Sequence, residues 1–123
     1  MSHNRHYDTV AFDVREKTAM LFFARTTTGG DIEDYLLLMR TIDEDFNESI
    51  DIEINEQRIG GHNSIREAQL LGNTITLNLN ESVQALDGAS QIVLTFAETT
   101  ENMASIEVGA FRVLGDALTG GNA

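Results

Sequence analysis

The 123-residue chain has no cysteine, no proline and no tryptophan, and it sets only eight lysines and arginines against twenty aspartates and glutamates. Without cysteine there is no disulfide, no thiolate zinc site and no cysteine nucleophile, and a reducing cytosol suits the chain without being required by it. Without tryptophan a sugar cleft lined with aromatic rings is hard to build, so the abundance of carboxylates does not by itself point to glycoside hydrolysis. The absence of proline removes the usual punctuation of element boundaries. No apolar run is long enough to span a bilayer, and Met1-Ser2-His3-Asn4-Arg5-His6 is polar where a signal peptide needs an apolar core. A cytoplasmic protein without membrane contact is therefore expected. No internal repeat is visible.

What is present is the composition of a folded protein, 41% hydrophobic and 23% charged, at a length that supports one core but not a catalytic domain with a separate regulatory one. A single domain over residues 1–123 is expected, with 1–7 and 119–123 as loose termini. The negative charge is not spread evenly. From Asp31 to Glu56, ten acids against one base, Arg40, leave −9 of the chain's −12. Colloidal stability needs net charge and not local density. A segment this dense in one sign repels nucleic acid and is best tolerated where a basic partner neutralises it.

Val10, Phe12 and Val14 alternate with Ala11 and Asp13, the period of a strand with one face in the core. Ala19-Met20-Leu21-Phe22-Phe23-Ala24 is apolar on both parities and ends at Thr26-Thr27-Thr28-Gly29-Gly30, which predicts a central strand hairpinned to the first. Asp31 to Arg40 suits either a helix (Ile32, Tyr35, Leu36, Met39) or a buried strand, with strand the preferred reading. Ile50, Ile52 and Ile54 alternate with Asp51 and Glu53. If the isoleucines face the core, both acids point together to the other side, about 7 Å apart along the strand. Gly60-Gly61-His62-Asn63 predicts a turn. Ile65–Leu71 and Thr74–Asn80 form a hairpin through Gly72-Asn73. Ser82 to Asp87 makes one or two helical turns stopped by Gly88, and Gln91–Ala97 returns as a strand. Met103, Ile106, Ala110, Phe111, Leu114, Ala117 and Leu118 recur at helical spacing after Thr100 as N-cap, with Gly109 inside at a cost of about 1 kcal/mol. The expected fold class is α+β, an antiparallel sheet of about six strands with this C-terminal amphipathic helix packed on one face.

Several constellations hint at chemistry without completing it. Asp43-x-Asp45-x-Asn47-x-Ser49-x-Asp51 has the opening rhythm of a calcium loop. Its sixth position, which needs glycine, is Glu48, and its twelfth, which needs a bidentate glutamate, is Ile54. His3, His6 and His62 have no companion cysteine and make a poor metal set. Ser64 lies near His62 but in no nucleophile elbow. Thr28-Gly29-Gly30 precedes no lysine, and the acids that follow would repel a phosphate. Met20, Met39 and the phenylalanines fall at core parities and are assigned to packing. No catalytic residue, metal or cofactor is expected.

Tyr35-Leu36-Leu37-Leu38-Met39-Arg40, the acids after it, and Asp51-Ile52-Glu53-Ile54-Asn55-Glu56-Gln57 resemble the bacterial immunity protein 10 family. Gly60-Gly61, the hairpin at Gly72-Asn73, Leu77-Asn78-Leu79 and the helix ending Ala117-Leu118 follow in the family's order. The likeness covers about residues 34 to 118. His62-Asn63-Ser64 departs from it, between the glycine pair and Ile65. The resemblance implies an intracellular, non-catalytic antidote that binds and neutralises a cognate polymorphic toxin, a protein with a basic surface. The contact surface expected from the charge pattern comprises Asp31, Glu33, Asp34, Tyr35, Asp43, Glu44, Asp45, Phe46, Glu48, Asp51, Glu53 and Glu56, with Tyr35 and Phe46 as candidate anchors. A homodimer is compatible with this reading. The rival readings are a structural, self-assembling subunit and a small carboxylate- or metal-dependent hydrolase using His62.

Overall fold

Strands that alternate apolar and polar residues bury one face each, and two such sheets can cover one another. The computed structural model describes residues 2–41, 50–59 and 65–119. In chain order they form β1 (Ser2–Tyr7), β2 (Thr9–Arg15), β3 (Thr18–Thr26), β4 (Ile32–Thr41), β5 (Ile50–Ile54), β6 (Gln57–Ile59), β7 (Ile65–Leu71), β8 (Thr74–Val83), β9 (Ala89–Phe96), α1 (Thr100–Leu114) and β10 (Leu118–Thr119). Sheet I is an antiparallel meander in the order β2-β3-β4-β5-β6. Sheet II has the order β1-β9-β8-β7-β10, with β1 parallel to β9 and β10 parallel to β7.

The α+β class holds, but the single six-stranded sheet is corrected to two sheets, each of five strands among the described residues. The reason lies in β1. Ser2 to Tyr7 is polar at nearly every position and reads as a loose terminus, yet it pairs from Ser2↔Gln91 to Tyr7↔Phe96, and Tyr7 is fully buried. Phe23 of sheet I lies between the two aromatics of sheet II, with ring centroids 6.1 Å from Tyr7 and 6.2 Å from Phe96. Ala19, Leu21 and Phe23 of β3, Leu36 and Leu38 of β4, and Ile50, Ile52 and Ile54 of β5 form the inner side of sheet I. They meet Ile75, Leu77, Ile92 and Leu94 of sheet II.

β4 settles the ambiguity at 31–40 as a strand, with Leu36 and Leu38 buried and Ile32 exposed. The helix also shifts. Thr99, not Thr100, is its N-cap, accepting from the Asn102 N–H at 3.1 Å, and regular helix ends at Leu114. It buries Asn102, Ile106, Gly109, Ala110, Val113 and Leu114, whereas Met103 and Phe111 of the expected stripe are exposed. Ala117 closes a 3-10 turn, and Leu118, expected to end the helix, begins β10, which takes in Thr119 of the expected tail. A second 3-10 turn spans Gln84–Leu86, shorter than foreseen because β8 runs on to Val83.

α1 lies against β2, β3 and β4 on the inner side of sheet I. The approach is close enough that a Cβ on Gly109 would stand 2.6 Å from Phe12 Cδ1 and 3.1 Å from Leu21 Cδ1. Packing, and not helix propensity, therefore selects glycine there. Asn102 ties the helix to the strands. Its Oδ1 accepts from the Val10 N–H at 2.8 Å, and its Nδ2 donates to the carbonyls of Asp8 and Ala97, both at 2.8 Å. Every polar atom of this buried amide is thus satisfied.

Candidate functional site: the outer side of sheet I

Burying Ile50, Ile52 and Ile54 turns Asp51 and Glu53 to the opposite, outer side of sheet I, where both are half-buried. Tyr35 of β4 stands on the same side. Its hydroxyl donates to Glu53 Oε2 at 2.5 Å and accepts from the Glu56 N–H at 2.8 Å. Donation to Glu53 is the main cause that raises its pKa above the ordinary 10.0, with burial second, so this phenol stays protonated through neutral pH. Glu56 is exposed in the Asn55-Glu56 turn, whose two residues take φ 49° and 70°. Asp31 and Glu33 are exposed at the end of the sheet where β4 begins, and Glu33 sits 3.6 Å from Arg25, an exposed pair worth little.

Asp34 does not join this surface, and its assignment to partner binding is corrected. On the inner parity of β4, it is 6% exposed. Oδ2 accepts from Arg5 Nη1 at 2.5 Å, and Oδ1 accepts from Asn55 Nδ2 at 2.5 Å. Arg25 Nη2 approaches at 3.5 Å. Arg5 also donates through Nε to His3 Nε2 at 2.9 Å and through Nη1 to the Tyr7 hydroxyl at 3.2 Å. This cluster locks β1 of sheet II to β4 of sheet I, so its work is structural. His3 therefore lies on the inner parity of β1, while His6 lies on the outer parity against Thr95 Oγ1 at 2.7 Å. Alternation thus separates the two histidines that metal binding would need together.

Arg40, the single base of the acidic segment, also turns to the inner parity, where it is half-buried. It shares the parity of Leu36 and Leu38, and its guanidinium lies so close to Gly115, at the C-terminus of α1, that a Cβ there would collide with it. The partial negative charge of a helix C-terminus favours a cation at that place. Asp43, Glu44, Asp45, Phe46 and Glu48 lie outside the described residues, as do His62 and the Gly60-Gly61 turn.

Sequence reasoning missed the apolar half of this site. Met20 and Phe22 of β3 and Leu37 and Met39 of β4 were assigned to the core. They instead occupy the outer parity, half-buried beside Tyr35, whose ring centroid is 5.5 Å from that of Phe22. The signal was in the sequence. Ala19 to Ala24 is apolar on both parities, which means either burial on both sides or an exposed apolar side. An open hollow of about 420 Å³, lined by Ile32, Glu33, Tyr35, Asn55 and Glu56, marks the end of this surface.

Among the described residues, no helix is long and apolar enough to cross a membrane, and no three histidines or acids gather as a metal cluster. The chain matches no family model, and neither a curated protein nor a solved structure is detectably similar to it.

Proposed function

We propose that this chain is an immunity-type protein that binds a cationic protein toxin through the outer side of sheet I and performs no catalysis. The observation that carries the reading is the placement of Asp51, Glu53 and Glu56, with Asp31 and Glu33 at the sheet's end, while Arg40 and Asp34 are drawn inward. One acid and one base moved inward leave the net charge of the outward groups as it was, and Asp51 and Glu53 share one side of the sheet, with Arg58 of β6 beside Glu53. The resemblance of Tyr35 to Arg40 and of Asp51 to Gln57 to the immunity protein 10 family supports the same reading. A surface of this sign steers a basic partner, raising association to as much as about 10⁸–10⁹ M⁻¹s⁻¹ at low salt.

The test is binding to the C-terminal domain of the large secreted protein that this reading requires to be encoded beside the chain. Reversing Asp43, Glu44, Asp45, Asp51 and Glu53 to lysine should slow association about tenfold or more and flatten its salt dependence. An unchanged rate in a folded variant removes these residues from the interface. A metabolic neighbour in place of a secreted one would favour the hydrolase reading.

A further inference from the structure

We infer, building on the site proposed above, that the outer side of sheet I is anchored by an apolar centre that receives apolar or aromatic side chains of a protein partner ringed with lysine and arginine. The register places Met20 beside Met39 and Phe22 beside Leu37, and Tyr35 packs on Phe22. Each is half-buried. Sheet II and α1 both pack on the inner side, through Tyr7 and Phe96 against Phe23 and through Gly109 against Phe12 and Leu21.

Acids stand at three of the four ends of this centre. The row Asp13-Met20-Met39-Asp51 has a carboxylate at each end, that of Asp13 paired with Arg15 at 2.7 Å, and the row Ala11-Phe22-Leu37-Glu53 has one at its far end, before Arg58 of β6. Protein interfaces have this anatomy, a desolvated aromatic and methionine-rich centre within a polar rim, and their energy concentrates in the centre. Charge complementarity selects the occupant. A second copy stacked on this side would set acid rim against acid rim on two chains of −12 each. Phosphates of nucleic acid and anionic lipid headgroups meet the same repulsion. A cationic protein with a projecting apolar group meets neither obstacle.

Two peptides of equal length and charge test this, one alternating lysine with tryptophan and one alternating lysine with serine. The wild-type chain should bind the tryptophan peptide about tenfold more tightly than the serine peptide, the loss expected when one buried anchor is missing. Amide exchange on the wild-type chain should slow on β3 to β5 when the tryptophan peptide binds. Leu37→Ser with Met39→Ser should abolish the preference, and the control Val93→Ser on the outer side of sheet II should keep it. Equal affinity for both peptides, or protection located elsewhere, overturns the inference without any variant having to fold. A concentration-dependent dimer dispersed by Leu37→Ser overturns it in favour of a second copy. If the tryptophan peptide docks on β3 to β5 but the neighbouring secreted domain does not bind, the toxin reading falls and the docking surface stands.

Discussion

The two sheets turn outer faces of different chemistry to their surroundings. On sheet II the outward rows are Glu67-Asn78-Gln91-Ser2, Gln69-Thr76-Val93-Asn4 and Leu71-Thr74-Thr95-His6, polar except for Val93 and the exposed Leu71 at a strand end, and the amides and carboxylate of the first row bond to one another. Gln91 Nε2 donates to Asn78 Oδ1 at 2.9 Å, and Asn78 Nδ2 donates to Glu67 Oε1 at 3.2 Å. On sheet I the equivalent positions hold Met20, Phe22, Leu37 and Met39 with acids around them. Both faces have the same relation to the core, so the fold does not demand the difference. A face meant only for water is built as sheet II builds it. An apolar patch on the outer side of a sheet raises the risk of association and persists where it serves an interaction.

The largest expected effect tests whether the acidic segment is divided between inside and outside. Arg5→Met would leave the buried Asp34 with only Asn55 and the more distant Arg25 as partners, and should cost about 3 kcal/mol in chemical denaturation. Reversal of the exposed Asp31 in the same assay should stay within about 0.5 kcal/mol. If the two variants were equally mild, Asp34 would belong with the surface acids and the division would fail.

A smaller effect separates the two tyrosines. Burial pushes the Tyr7 hydroxyl up to about 12 against an ordinary 10.0, while the Arg5 hydrogen bond opposes the rise. The folded state then holds this proton more tightly than the unfolded chain. The resulting stability is present below pH 10 and lost as pH climbs from 10 to about 12. Melting temperature followed across that window should fall, and Tyr7→Phe should flatten most of the slope. A slope unchanged by Tyr7→Phe would place the titrating group elsewhere.

The smallest effect compares the faces directly. Gln91→Ala removes one bond of a half-buried ladder and should change stability by about 0.5 kcal/mol, measured by urea unfolding. Phe22→Thr, which gives sheet I the chemistry of sheet II, should cost about 1 kcal/mol through lost packing on Tyr35. A stabilising Phe22→Thr would sharpen the contrast further, as a surface selected against its own folding stability.

Much of the fold was legible because local patterns decided it. The hairpins at Glu16-Lys17 and Gly72-Asn73 join runs with clear alternation, and the isoleucine parity of β5 placed Asp51 and Glu53 correctly. β6 was not legible, since the Asn55-Glu56 turn lacks glycine and only Ile59 carries an apolar signal. β1 was hidden because His3 and Arg5 occupy inward positions as polar groups, His3 accepting from Arg5 and Arg5 in turn held by Asp34, which is distant in sequence. The rotation of the helix stripe was hidden for a related reason. Asn102 and Gly109 face inward because the strands supply hydrogen bonds to one and close contact to the other.

The amino-acid order alone determined that the charge is concentrated, that most strands have two unlike sides, and that no cysteine chemistry is available. Which side of sheet I faces outward, and which acids stand on it, was decided only by tertiary structure. A period of two defines a pair of faces without saying which will be covered. That choice belongs to sheet II and α1, whose contacts with Phe23, Phe12 and Leu21 join residues far apart in the chain.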